Sequence, residues 1–333
     1  MEKIIFYYMN YTNIKYNIAT QMKKDSFSAR LTQKIQAKQT PVLVGLDPRF
    51  ELIPDSLKKS VDTQNPFAVA TLFERFCKAI IDIISPLVPG VKPQCAFFEQ
   101  LGVPGMQCLS NIIEYARQND LLVILDGKRN DIGSTASAYA NAYLGSNSIW
   151  KADALTVSPY LGDDSLSPFV QLAEERQAGI FVLVKTSNAG GAMFQDLVSN
   201  NKPIYQYVAE YVERLSEESC SLNQLTYYGN VGAVVGATWS TQLSELRSIM
   251  KKVWFLVPGY GSQGGTAADV AGAFDENGLG AIVNNSRGIL FAHRSARYSD
   301  LFGENQWEKA VETATRQMIE SLAAETSAGK LKT

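Results

Sequence analysis

Histidine and cysteine are scarce in this chain, which has one histidine and four cysteines among 333 residues. The cysteines form no C-x-x-C pair and no histidine clusters with them, so the usual ligand pattern of a zinc site is missing. Reduced thiols in a cytoplasmic protein are therefore the favoured interpretation. With no second histidine, triad chemistry at His293 has little support, and we expect this side chain on a surface segment.

Long apolar runs and a strong excess of one charge are also missing. No run reaches the length of a membrane span, and the formal net charge is −2. We therefore expect neither a membrane nor a nucleic acid as a partner. The first residues contain apolar stretches, but polar residues interrupt them and no clean cleavage site follows, which argues against a signal peptide.

Residues 1–25 differ from the rest of the chain because they are rich in Asn and Tyr. We interpret them as an N-terminal extension, either disordered or the result of an incorrectly assigned start, with Met22 as the candidate for the true start. Residues 26–327 form one predicted catalytic domain, and residues 328–333 form a predicted C-terminal tail.

Short apolar runs alternate with longer amphipathic stretches from residue 40 onward. The predicted strands are Val42–Leu46, Val88–Pro93, Leu121–Leu125, Ala154–Val157, Ile180–Val184, Val231–Val235, Val253–Val257 and Ala281–Val283. The predicted helices are Phe67–Ile84, Met106–Gln118, Ser134–Leu144, Pro168–Arg176, Ile204–Cys220, Thr241–Met250, Ala267–Phe274 and Gln306–Leu322. Apolar strands that are each followed by a helix are typical of a covered parallel sheet. Eight such units predict an α/β fold with a single (β/α)8 (TIM) barrel domain, while periodicity leaves an open doubly wound sheet as the alternative.

Charged and polar residues recur at the ends of the predicted strands. The densest group is Asp126, Lys128 and Asp131, directly after the third strand. Charges grouped in a buried setting are costly unless each is paired or used. In a barrel the carboxyl ends of the strands meet at one face, which is where active sites lie. The other candidates on this face are Asp47, Lys92, Lys185, Ser187, Asn188, Gln263 and Arg287.

Two loops near the end of the chain have the composition of a phosphate site. Residues 258–265 follow the seventh strand and contain four glycines, and residues 284–288 follow the eighth and contain Arg287. Glycines let backbone N–H groups approach phosphate oxygens, and an arginine adds a bidentate clamp. The first loop also matches G-x-G-x-x-G, but it lies too late in the chain to indicate a dinucleotide fingerprint.

Taken together, these motifs resemble the orotidine 5′-monophosphate decarboxylase family, and the long segments between strands resemble its larger, mainly bacterial branch. Six motifs occur in order over roughly residues 42–290, and together they are very specific. They are Val44–Arg49, Val91–Gln94 with Ala96–Glu99, Asp126–Thr135, Val184–Asn188, Val257–Gly265 and Asn285–Ile289. The family often has Pro where this chain has Ala189, which alters loop stiffness and no catalytic group.

The resemblance implies decarboxylation of orotidine 5′-monophosphate to uridine 5′-monophosphate, with no metal and no cofactor. Lys92, Asp126, Lys128 and Asp131 would form an alternating charge network. Asp126 would face the substrate carboxylate, and Lys128 would stabilise the carbanion at C6 and protonate it. The implied substrate-binding residues are Asp47, Ile132, Thr135, Ser187, Gln263, Gly264, Gly265, Arg287 and Gly288. The resemblance also implies a homodimer in which Asp131, Ile132 and Thr135 complete the partner's site.

Two other functions remain open from the sequence. A related barrel could perform magnesium-dependent chemistry on sugar phosphates as a lyase or synthase, with Glu99 as the nearest acidic candidate for a ligand after the second strand. The chain could also be an inactive nucleotide-binding barrel. A further alternative concerns Lys185, which could form a Schiff base, although we favour a structural ion pair for it.

Overall fold

The structure is a computed structural model that describes residues 25–223, 227–261 and 263–332. Residues 1–24, which include Met22 and all but the last residue of the predicted extension, lie outside the described residues. Eight parallel strands close into a barrel in which each strand pairs with its neighbours in the chain and the last pairs with the first. They are β1 (Val42–Leu46), β2 (Gly90–Pro93), β3 (Leu122–Arg129), β4 (Ala154–Val157), β5 (Gly179–Lys185), β6 (Val231–Val235), β7 (Phe255–Val257) and β8 (Ala281–Asn285). The predicted (β/α)8 barrel is confirmed.

Helices surround the barrel because nearly every strand is buried along most of its length, which requires a cover over its outer face. The longer helices are α1 (Phe27–Lys38), α2 (Pro66–Ile84), α3 (Val103–Gln118), α4 (Gly133–Leu144), α5 (Asp163–Arg176), α6 (Ile204–Asn223), α7 (Ser240–Ile249), α8 (Ala296–Phe302) and α9 (Trp307–Glu325). Single helical turns occupy Asp55–Lys58, Ala96–Glu99, Ala192–Gln195, Ala267–Val270 and Arg287–Leu290. A short antiparallel ribbon joins Val198–Ser199 to Lys202–Pro203. No helix in the described part of the chain is long and apolar enough to span a bilayer.

Helix α1 was not among the predicted helices. Ser26 caps it by accepting a hydrogen bond from the backbone N–H of Ala29, and Phe27, Leu31 and Ile35 are buried. These three side chains join a cluster inside the barrel that includes Trp254. The helix therefore adds apolar side chains to the packing of the barrel interior.

Strand β3 is longer than the predicted strand, which ended at Leu125. It continues to Arg129 through an irregularity, because its register with β4 shifts between Leu125 and Arg129. The charged residues at 126 and 128 therefore lie within the strand and not after it. Apolar patterning could not predict this extension, since the pairing of the charges with residues on other strands is what allows them there.

Other regions also differ from the predictions. Helix α5 begins at Asp163, and Pro168 lies inside it instead of at its start. His293 is buried and not on the surface, since it lies in a short turn beside the buried Ala292. Burial lowers the pKa of His293 to about 4. Residues 327–332, which include most of the predicted tail, form a 3-10 helix in which Ala328 is buried.

Candidate active site

A cavity of about 510 Å³ opens at the carboxyl ends of the strands. Its lining brings together seven of the predicted site residues, which come from strands distant in sequence. These are Asp47, Lys92, Asp126, Lys128, Ser187, Gln263 and Arg287. Asn188, which follows Ser187, lines the same cavity. The barrel topology accounts for this convergence, because parallel strands deliver their carboxyl ends to one face.

Asp126 lies between two ammonium groups at one side of this cavity. Lys92 Nζ donates a hydrogen bond to Asp126 Oδ2 over 2.7 Å, and Lys128 Nζ donates to Oδ1 over 2.6 Å. Asp126 and Lys92 are buried, whereas the side chain of Lys128 is 47% exposed and faces the opening. Three of the four residues of the predicted charge network are thus in direct contact.

The two lysines determine the ionisation of Asp126. Burial alone would raise the pKa of this carboxyl, but the charges of Lys92 and Lys128 and their hydrogen bonds lower it well below its usual range. Burial would likewise lower the pKa of Lys92, yet the Asp126 and Asp47 carboxylates raise it overall. The site therefore holds a fixed carboxylate and a fixed ammonium at neutral pH.

Asp131, Ile132 and Thr135 do not line the cavity of their own chain. Asp131 Oδ1 accepts a hydrogen bond from the backbone N–H of Ile132, whose side chain is 57% exposed. Thr135 is exposed on the first turn of α4. The structure thus leaves these three residues outside the cavity that Asp126 and Lys128 line.

Two loops form the opposite side of the cavity, where Gln263 and Arg287 line the wall. Gly259 has φ +98° and Gly264 has φ +95°, values that favour glycine strongly. Gly264 and Gly265 lie in the same loop as Gln263, and a hydrogen bond of 3.2 Å joins Gly265 N to Gly259 O. The N–H of Gly288 donates to Asn285 Oδ1, beside Arg287. The loops thus place a cation and a side-chain amide at one end of the cavity.

Sequence reasoning missed several cavity residues, namely Arg49, Gln94, Thr156, Thr186, Gln195, Tyr260, Asn284 and Ser286. Among the described residues, buried polar atoms without a hydrogen-bond partner include Asp47 Oδ1, Arg49 Nε and Asn284 Oδ1. Such atoms are costly unless a ligand satisfies them. A detectable signal existed for Thr156, which is a polar residue within an otherwise apolar strand, and for Asn284, which directly follows the apolar run of the eighth strand.

Lys185 has no contact with the cavity. It is fully buried, forms an ion pair with Asp196, and lies 4.5 Å from the centre of the Trp239 ring. The contact is the structural ion pair that the sequence favours over a Schiff base.

Glu99, the candidate magnesium ligand, pairs with Arg129 and does not line the cavity. Within the described residues, no group of three His, Cys, Asp or Glu side chains could hold a metal ion.

The ion pair of Lys185 leads to a prediction about stability. Asp196→Ala leaves a buried ammonium without its carboxylate, so we expect the free energy of unfolding to fall by about 2 kcal/mol. The partial exposure of Asp196 keeps the loss below that of a fully buried pair. Urea denaturation measures the effect, with Lys185→Met as the matched variant because it removes the charge and keeps the volume. A larger loss for Lys185→Met than for Asp196→Ala would contradict the argument.

Comparisons with known proteins agree with this geometry. The sequence model of the orotidine 5′-phosphate decarboxylase / HUMPS family matches residues 40–298. Orotidine 5′-phosphate decarboxylase of Rhodopirellula baltica is 53% identical over 301 residues, which cover 89% of this chain and 99% of that protein. The same enzyme of Caldicellulosiruptor bescii is 39% identical over 90% of this chain and 98% of its own length.

A solved structure agrees as well. The OMP decarboxylase of Leishmania donovani superposes with a TM-score of 0.68 at 32% identity, over 90% of this chain and 98% of that chain. Sequence and structure thus match over nearly the same region. The chain belongs to the orotidine 5′-phosphate decarboxylase / HUMPS family, as its motifs predicted.

Proposed function

We propose that this enzyme decarboxylates orotidine 5′-monophosphate to uridine 5′-monophosphate and CO2 in pyrimidine biosynthesis. The observation that carries the proposal is Asp126, buried and held ionised between Lys92 and Lys128 at the wall of a nucleotide-sized cavity. A buried ion pair such as that of Lys92 and Asp126 is a costly arrangement for stability alone. It fits a reaction in which a negative charge develops on a carbon atom next to a fixed ammonium.

The chemistry follows from the placement of the charges. The bond between C6 and the carboxylate breaks, CO2 leaves, and the electron pair stays on C6. Lys128 stabilises this charge and then donates its proton to C6, after which water returns a proton to the amine. Asp126 faces the substrate carboxylate and repels it, and this repulsion ends when CO2 leaves. Lys92 holds Asp126 in place, and we assign the larger share of the rate enhancement to Lys128.

The remaining cavity residues bind the rest of the nucleotide. Asp47, with its unsatisfied Oδ1, accepts hydrogen bonds from the ribose hydroxyls. Ser187 binds the pyrimidine edge. Gln263 and Arg287 bind the phosphate. Gly264, Gly265 and Gly288 shape the two loops that carry these side chains, since their backbone N–H groups already donate hydrogen bonds within the loops. No metal or other cofactor enters this scheme.

Loss of the phosphate contacts should slow the reaction as well as weaken binding, because remote binding energy orders the site. For Arg287→Ala we expect kcat/KM to fall about 10- to 100-fold, as for a lost charged hydrogen bond, and somewhat less for Gln263→Ala. Steady-state kinetics provide the measurement. Arg297→Ala is the control, since Arg297 is an exposed arginine that does not line the cavity. Unchanged kcat/KM for either cavity variant would refute the phosphate assignment.

We further propose that the active form is a homodimer in which Asp131, Ile132 and Thr135 complete the partner's site. Two observations support this arrangement. All three residues follow the strand that carries Lys128, and all three lie outside the cavity of their own chain, with Ile132 and Thr135 exposed. We also propose the cytoplasm as the compartment, since the four cysteines form no disulfide among the described residues.

One assay tests the activity directly. The absorbance of orotidine 5′-monophosphate is followed with the purified protein, with and without EDTA. We expect its loss at equal rates in both conditions. EDTA sensitivity would favour the magnesium-dependent barrel chemistry, and no turnover at all would favour an inactive nucleotide-binding barrel.

A further inference from the structure

Thr156 is the polar side chain of the otherwise apolar strand β4, and it is only 1% exposed. Its hydroxyl lies between two groups of the charge network. Thr156 Oγ1 donates a hydrogen bond to Asp126 Oδ1 over 2.9 Å, and it accepts one from the backbone N–H of Lys128, also over 2.9 Å. One oxygen atom thus contacts both the carboxylate and the residue that carries the ammonium.

The irregularity of β3 explains why the hydroxyl is needed there. The ladder between β3 and β4 passes from the Leu125–Leu155 pair to the Arg129–Val157 pair, so β3 has two more residues than β4 in this interval. Lys128 lies inside it with φ +46°, a conformation that is costly for a residue with a Cβ. Its backbone N–H does not pair with a carbonyl of β4 in the regular hydrogen-bond ladder, and it donates to the Thr156 hydroxyl instead.

The direction of the hydroxyl proton follows from these contacts. A hydroxyl has a single proton to donate, and Thr156 Oγ1 already uses a lone pair to accept from the Lys128 N–H. Its proton therefore points at Asp126, which as a carboxylate can only accept. The two hydrogen bonds are thus coupled through one atom, and the backbone of Lys128 cannot shift without disturbing Asp126.

We propose that Thr156 is a positioning residue that fixes Lys128 and Asp126 relative to each other before substrate binds. The inference rests on the proposed decarboxylation, and it adds a residue whose hydroxyl acts through the two charged groups. Its contribution is preorganisation, since small errors in the placement of an ammonium at a reacting carbon are costly to the rate. Binding of the product depends mainly on the ribose and phosphate contacts and should not require it.

The experiment compares Thr156→Val, which keeps the shape and removes the hydroxyl, with Thr156→Ser, which keeps the hydroxyl and removes the methyl group. For the Val variant we expect kcat to fall about 10- to 100-fold, with KM and the Kd of uridine 5′-monophosphate within about 3-fold of the wild type. The Ser variant should retain kcat within about 3-fold. Thermal unfolding of each variant is measured in parallel.

The outcomes separate the possible explanations. Wild-type kcat in the Val variant, equal losses in the Val and Ser variants, or a parallel loss of product binding would each overturn the positioning role. If Thr156→Val does not fold, Thr156→Cys replaces it, because a thiol is a weak hydrogen-bonding group of similar size, and the same loss of kcat is expected. A wild-type chain without turnover overturns the proposed function and this inference with it, whereas an active wild type with an unimpaired Val variant overturns only the inference.

Discussion

Replacement of Lys128 by alanine is expected to lower kcat for decarboxylation by at least about 10³-fold. General acid catalysis and preorganised electrostatic stabilisation each contribute about 10²-fold or more, and this one side chain would supply both. The structure makes the loss hard to compensate, because the neighbouring ammonium of Lys92 is buried and already bound to Asp126. Single-turnover kinetics with orotidine 5′-monophosphate measure the chemical step directly. Binding of the product should be far less affected than kcat.

The chain provides a matched control for this substitution. Lys151 has φ +45°, nearly the same left-handed conformation as Lys128, and it precedes β4 at the opposite end of the barrel. Lys151→Ala therefore imposes the same backbone change without touching the cavity. We expect wild-type kinetics from it. A Lys128→Ala enzyme that keeps more than about a tenth of the wild-type kcat would show that another group donates the proton.

Mixing two inactive variants should restore activity if Asp131 serves the partner's site. In a dimer of one Lys128→Ala chain and one Asp131→Ala chain, one site keeps both Lys128 and the partner's Asp131. Random exchange of equal amounts makes about half of the dimers mixed, so activity should recover to about a quarter of the wild-type value. Steady-state assays before and after subunit exchange provide the measurement, with exchange verified by mass spectrometry of differently tagged chains.

The control mixture contains Lys128→Ala chains and chains with both substitutions. No dimer in that mixture has an intact site, so any activity there would reflect contamination or carry-over. If Asp131 acts in its own chain, the test mixture should also remain inactive, because each chain then lacks one member of its own site. Absence of recovery after verified exchange would therefore contradict the assignment of Asp131 to the partner's site.

Much of the fold could be predicted because parallel barrel strands are buried on both faces. Runs such as those of β1 and β6 are uniformly apolar, and polar residues mark their carboxyl ends. The same regularity predicts Asp47, Lys92 and Arg287 on one face of the barrel. The polar residues at the carboxyl ends of the strands are therefore visible in the sequence, and these three line the cavity.

Features that depend on contacts between distant segments could not be predicted in the same way. The extension of β3 depends on Asp126 meeting Lys92 from another strand. Thr156 acquires its role only through the irregular pairing of its strand with β3. The burial of His293 depends on how its turn packs against the rest of the protein, since Ala292 in the same turn is buried as well. In each case the feature depends on a contact with another segment of the chain, and the periodicity of apolar residues carries no information about such contacts.

Closure of the barrel by β1 and β8 also has a consequence during synthesis on the ribosome. The partner of β1 on one side is β8, whose last residue, Asn285, is made about 240 residues after Leu46. At the usual rate of translation, one edge of β1 therefore stays unpaired for roughly 10 to 50 seconds. An apolar strand with a free edge is prone to pair with other chains, so this interval is when the nascent protein most needs protection by a chaperone.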